Sequence, residues 1–141
     1  LAWVYGRLER WEEAAANYQA AELAHRRVIG PKGPGVGGLM NNWGWVLSDH
    51  LGKPAEAEPL LRRAVAILDT DEAATVWRGR SRASLANSLR DQGKDEEARR
   101  FYLSALELLR SAESEGEDLS EERAEVEADF ARLSSTEAPP P

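Results

Sequence analysis

Apolar residues recur every three or four positions through most of this chain, the spacing of amphipathic helices. Between 1 and 29 they fall at Leu1, Tyr5, Leu8, Trp11, Ala14, Tyr18, Ala21 and Val28, with a break near Glu9 and Arg10 that separates two helices. The run 30–38 holds two prolines and five glycines, so it is expected to be a loop. A helix over about 39–50 follows, stopped by Gly52. Pro54 then suits a first helical turn, where its missing N–H is harmless, and that helix runs to about 68. Residues 69–71 read as a connector, and helices over about 72–92 and 95–112 follow, with Gly93 at the turn between them. After an acidic loop at 114–118 comes a final helix over 119–133, with Ser120 as N-cap and Glu121 and Glu122 in its first turn. Leu119, Val126, Phe130 and Leu133 share one face of it, and the other face is acidic. No window alternates as a strand does, so the fold class is all-α.

A block recurs along these helices about every 42 residues. Gly52-Lys53-Pro54-Ala55-Glu56-Ala57 is followed by Leu61 and Ala64, and Gly93-Lys94-Asp95-Glu96-Glu97-Ala98 by Tyr102 and Ala105. A degenerate copy opens the chain as Arg10-Trp11-Glu12-Glu13-Ala14, with Tyr18 and Ala21. A fixed period of this size marks a stacked helical repeat. HEAT and armadillo repeats have similar lengths, so residue types must decide. Each copy sets a small residue in its first helix, a bulky one three later, and Gly at the turn. Ala then comes early in the second helix, with a large residue four on and a second Ala three beyond. In the third copy these are Ala86, Leu89, Gly93, Ala98, Tyr102 and Ala105; in the first they are Ala2, Tyr5, Glu9 in place of Gly, Ala14, Tyr18 and Ala21. Small residues let two antiparallel helices approach closely, and bulky ones wedge between neighbouring pairs.

This pattern resembles the tetratricopeptide repeat (TPR). Residues 30–44, Gly-Pro-Lys-Gly-Pro-Gly-Val-Gly-Gly-Leu-Met-Asn-Asn-Trp-Gly, are similar to the Gly-Pro-x-His-Pro-x-Val…Leu-Asn-Asn-Leu-Ala stretch of kinesin-light-chain-type repeats. The likeness covers roughly 1–112. Gly33 stands where that subtype has His, and Pro54 and Asp95 where it has Tyr. Gly44 to Gly52 is one residue longer than the family spacing, so an insertion is expected in the turn at 49–51. The resemblance implies a right-handed superhelix of three antiparallel helix pairs plus a C-terminal capping helix. It is read as one domain over 1–133, with repeat 1 at about 1–29, repeat 2 at about 36–68, repeat 3 at about 72–112 and the cap at about 119–133. Residues 134–141 read as a disordered tail. Leu1 and Ala2 align with the middle of a first helix, so further repeats or another domain are expected upstream.

In this family first helices line a concave groove that holds peptides. The resemblance therefore assigns Trp3, Asn41, Asn42, Trp45, Arg80, Ser84 and Asn87 to a peptide-binding face. Asn amides offer donors and an acceptor to an extended backbone. Arg80, with Arg78 and Arg82, could pair with an acidic ligand. The plainer alternatives are that Asn42 and Asn87 hydrogen-bond neighbouring repeats and that the Trp residues, Trp43 above all, are packing.

Other signals carry less. The string 33–38 fits Gly-x-Gly-x-x-Gly, but a helix precedes it where a dinucleotide site needs a strand. His25 and His50 are isolated in sequence, so neither a metal site nor catalysis is read from them. Glu pairs at 12–13 and 96–97 open second helices, where the helix dipole accounts for them. There is no cysteine, which excludes disulfides and thiol chemistry. A net charge of −7 argues against general nucleic-acid or anionic-membrane binding and pulls against an acidic ligand. The acidic stretch 113–129 is a solvated cap face or, alternatively, a docking surface for a basic partner. The expected function is a non-enzymatic, cytoplasmic protein-interaction module with a protein or peptide partner and no cofactor. Two alternatives are a scaffold self-associating through repeat ends, motivated by Leu1, Val4 and Leu8, and the regulatory C-terminal region of a larger signalling enzyme.

Overall fold

The computed structural model describes residues 10–33 and 35–135, the last two by their backbone alone. Those residues form helices α1 Trp11–Ile29, α2 Val36–Trp45, α3 Pro54–Leu68, α4 Thr75–Asp91, α5 Asp95–Ser114 and α6 Ser120–Ser135, and a π-helical turn Val46–His50 continues α2. No strand occurs among the described residues. Trp3, the apolar edge of Leu1, Val4 and Leu8, and the tail from 136 on lie outside the described residues.

Several boundaries differ from the sequence expectation. Helix α2 starts at Val36, inside the expected loop. Gly37 is helical there because α3 lies against it: a Cβ on Gly37 would stand 2.8 Å from Leu68 Cγ. Helix α4 starts at Thr75 and not at 72, because Asp71 closes a turn first. Its carboxylate accepts the Ala73 N–H at 3.0 Å and its carbonyl accepts the Ala74 N–H at 3.1 Å. Ser120 is not the N-cap of α6. The Leu119 carbonyl accepts the Arg123 N–H at 2.8 Å, and the Asp118 carboxylate accepts the Ser120 hydroxyl at 3.0 Å. Helix α6 also runs through Ser135, two residues into the expected tail.

The extra residue between Gly44 and Gly52 sits in the helix and not in the turn. In α4 the helix ends on Gly93, whose φ of 77° is left-handed, with Lys94 N–H donating to the Leu89 carbonyl and Gly93 N–H to Arg90. In the second copy Gly52 takes φ 63°, but Lys53 N–H reaches back to Leu47, one residue further. Leu51 N–H donates to Val46, the i to i+5 bond of a π turn. The insertion is thus absorbed as a π-bulge over Val46–His50.

Consecutive helices pack on one another in order. Helices α2 and α4, and α4 and α6, also approach closely, whereas α1, α3 and α5 do not comparably. The layer α2–α4–α6 is therefore the inner side of a curved stack, and α6 occupies the place of a first helix in a further pair. The repeat alanines Ala14, Ala57 and Ala98 are fully buried between layers, as are Leu61 and Tyr102. Glu58 of α3 ties the outer layer together, accepting from Arg62, Gln92 and Lys94. Burial alone would raise its pKa, but those donors outweigh it and hold the carboxyl down to about 2.

Gly44 is the small residue of the second copy, and a Cβ there would lie 2.6 Å from Leu61 Cγ and Cδ2. Gly→Ala normally stabilises a helix by up to about 1 kcal/mol. Here Leu61 is fully buried and cannot step aside, so overpacking of about 1–3 kcal/mol opposes that gain. Gly44→Ala is expected to lower stability by about 1 kcal/mol in urea denaturation.

Candidate functional site

The inner layer encloses a cleft of about 330 Å³. Helix α2 contributes Asn41, Asn42 and Trp45, and the π turn contributes Asp49. Arg80, Ser84 and Asn87 come from α4, Leu109 from α5, and Glu122, Glu125, Val126 and Asp129 from α6. The six described residues assigned from sequence therefore converge on one cavity wall. Repeat spacing does this: Asn42 and Ser84, like Trp45 and Asn87, are one period apart on successive inner helices.

Their environments differ. Trp45 is exposed at 37% while its ring packs edge-on against Trp11 at 5.8 Å and His50 at 4.5 Å. His50 stacks flat on Trp11, and burial pushes its pKa down, so it serves packing. Asn41 is 5% exposed, and its Oδ1 is buried with no hydrogen-bond partner. Asn42 is half-buried and accepts weakly from Asn41 Nδ2 at 3.4 Å. Ser84 is buried in the wall. Asn87 is fully engaged: its Oδ1 accepts from the Tyr102 hydroxyl, and its Nδ2 donates to Asp129 at 3.2 Å and Asp49 at 3.4 Å. It bridges α2, α4, α5 and α6, the neighbour-bonding role weighed for it from sequence. Trp43 is half-buried among core side chains.

Residues 1–70 match one tetratricopeptide repeat model and residues 79–115 match a second. The chain belongs to the tetratricopeptide repeat family. No curated protein matches it in sequence. TPR modules are protein–protein interaction repeats, and the family is non-catalytic. Among the described residues no helix is long and apolar enough to cross a membrane.

The sequence leaves the sign of the ligand open, with Arg78, Arg80 and Arg82 set against a net charge of −7. Arg80 forms a fork with the Glu122 carboxylate and lies 5.2 Å over the Trp77 ring. Arg78 and Arg82 both clamp Asp69 at the end of α3. These guanidiniums hold the TPR stack together. The acidic face of α6 turns into the cleft, so that among the described residues lining it four carboxylates, Asp49, Glu122, Glu125 and Asp129, accompany one cation, Arg80.

Asp49 shows the consequence. Desolvation, with repulsion from Asp129 and Asp91, outweighs the Asn87 hydrogen bond and raises its pKa to about 6. A raised carboxyl pKa stabilises the fold fully below the ordinary value near 4, and that contribution is lost as pH rises through 6. Asp49→Asn is therefore expected to be more stable than the parent above pH 6 and equal to it below pH 4. Solvent still reaches Asp49, so the gain is on the order of 1 kcal/mol, read from urea midpoints across that range.

A second, more apolar cavity of about 410 Å³ adjoins the first and shares Asn42 with it. Among the described residues His25, Leu39, Leu68 and Trp77 line it, and Gly35 and Gly38 of the glycine-rich run form its floor. Sequence reasoning missed Asp49, and it considered the α6 carboxylates as a docking surface for a basic partner without placing them in this cleft. The signal was present: Arg80 to Glu122 and Asn87 to Asp129 are each separated by 42, the repeat period carried into α6.

Proposed function

We propose that this TPR domain, of the long-period kinesin-light-chain-like kind and taken as one unit over 1–133, holds an extended segment of a partner protein along the α2–α4–α6 face. The observation that carries this is the convergence of Asn41, Asn42, Trp45, Ser84 and Asn87 on one cleft that continues into a second through Asn42. The apolar cavity suits a hydrophobic side chain. The polar one offers amide groups and carboxylates to a backbone and a second side chain. A random peptide library displayed on phage supplies the probe. Peptides selected on the full chain are expected to lose at least about tenfold in affinity for Trp45→Ala and for Asn42→Ala, with helicity by circular dichroism unchanged. Variants that keep both helicity and affinity contradict the assignment.

A further inference from the structure

We propose that the polar cleft receives a cationic side chain, a lysine ammonium or arginine guanidinium carried by the partner segment, seated between Asp49 and Asp129, while Asn41 Oδ1, about two helical turns away on α2, accepts an N–H from the same segment. This rests on the α2–α4–α6 face being the binding groove. Three observations meet here. The first is charge: Asp49 and Glu125 pair with no cation among the described residues. Among the described residues the cations near Asp129 are Arg90 and Arg132, both at 3.7 Å, and Arg90 is shared with Asp91 and the Tyr102 hydroxyl. Asn87 Nδ2 is shared between the two facing carboxylates of Asp49 and Asp129.

The second observation is independent of that cluster. Asn41 lines the same cleft, is more than nine-tenths buried, and leaves its carbonyl oxygen without a donor. A buried acceptor left open is costly, and the group that satisfies it must bring an N–H or O–H. Third, Trp45 presents its exposed ring at the rim, a surface that favours a cation close to carboxylates. Among the described residues no three carboxylates or imidazoles stand close enough to hold a metal ion. An organic cation with several N–H donors fits what is offered, since both Lys and Arg carry donors and no acceptor. The π-bulge belongs to this site, because Asp49 stands within the inserted turn.

The test uses the full chain and the same displayed library. Peptides that bind the cleft, recognised by their loss on Trp45→Ala, are expected to carry Lys or Arg at one fixed position. Replacing that residue by Met in the peptide is expected to weaken binding about tenfold, the worth of one charge-assisted contact. Asp49→Asn and Glu125→Gln are expected to weaken the basic peptide and to leave the Met-substituted one unchanged, a pattern that a merely structural role does not produce. Cleft-binding peptides without a basic residue, or with affinity indifferent to its replacement, overturn the cationic ligand and leave the interaction groove standing. Selected peptides that are acidic also overturn it. If no selected peptide responds to Trp45→Ala, both proposals fall.

Discussion

Tyr102→Ala is expected to lower the free energy of unfolding by about 3–5 kcal/mol, the usual cost of removing a buried aromatic ring. Tyr102 is fully buried at the wedge position of the third copy, and its ring stacks on Phe130 at 5.3 Å. Its hydroxyl donates to Asn87 Oδ1 and accepts from Arg90 at 3.0 Å. The loss is a large share of a domain stability of about 5–15 kcal/mol. Tyr102→Phe separates ring from hydroxyl. It keeps the packing and leaves Asn87 Oδ1 and Arg90 short of a partner, at about 1–2 kcal/mol. Urea denaturation of both variants measures the difference. Equal losses for the two would mean that the hydroxyl network, and not ring packing, holds α5 between α4 and α6.

Val126→Asp is expected to cost about 3 kcal/mol or more, because it buries an unpaired charge. Val126 is 8% exposed and lies with Leu109 at the base of the cleft, among Glu122, Glu125 and Asp129. Repeat stacks are stabilised mainly by nearest-neighbour interfaces, so the damage should stay local. Amide hydrogen exchange is expected to lose protection across Ser120–Ser135 while α4 and α5 keep theirs. Undiminished protection in α6 would show that it does not dock through this face.

Most of the architecture was legible in sequence because a repeat states its packing more than once. Ala57 and Ala98, with Leu61 and Tyr102, occupy the same structural slots in successive copies, and all four are fully buried. The TPR resemblance assigns Asn41, Asn42, Trp45, Arg80, Ser84 and Asn87 to the inner layer, and all six line the cleft. What phase does not carry is pairing. Arg80 looks like a ligand-binding cation until Glu122 is seen against it, and Asn87 looks free until Tyr102 and two carboxylates meet it. Gly37 and Gly38 read as loop, because composition cannot show that Leu68 lies against a helical Gly37. The insertion after Gly44 was visible as a count, but whether a turn or a helix absorbs one residue depends on backbone hydrogen bonds. From sequence, the acidic face of α6 is a solvated cap or a docking surface for a basic partner. Its acids at Glu122 and Asp129 sit one full period beyond Arg80 and Asn87, and that register turns them inward.

The most direct test of a partner-binding inner face is a map of where a selected basic peptide touches the labelled protein in solution. Backbone and side-chain amide shifts are expected to change for Asn41, Asn42, Ser84, Asn87 and the Trp45 indole, on the faces of α2, α4 and α6 that line the cleft. Shifts confined to the outer helices α1, α3 and α5, with those cleft amides unmoved, would contradict it.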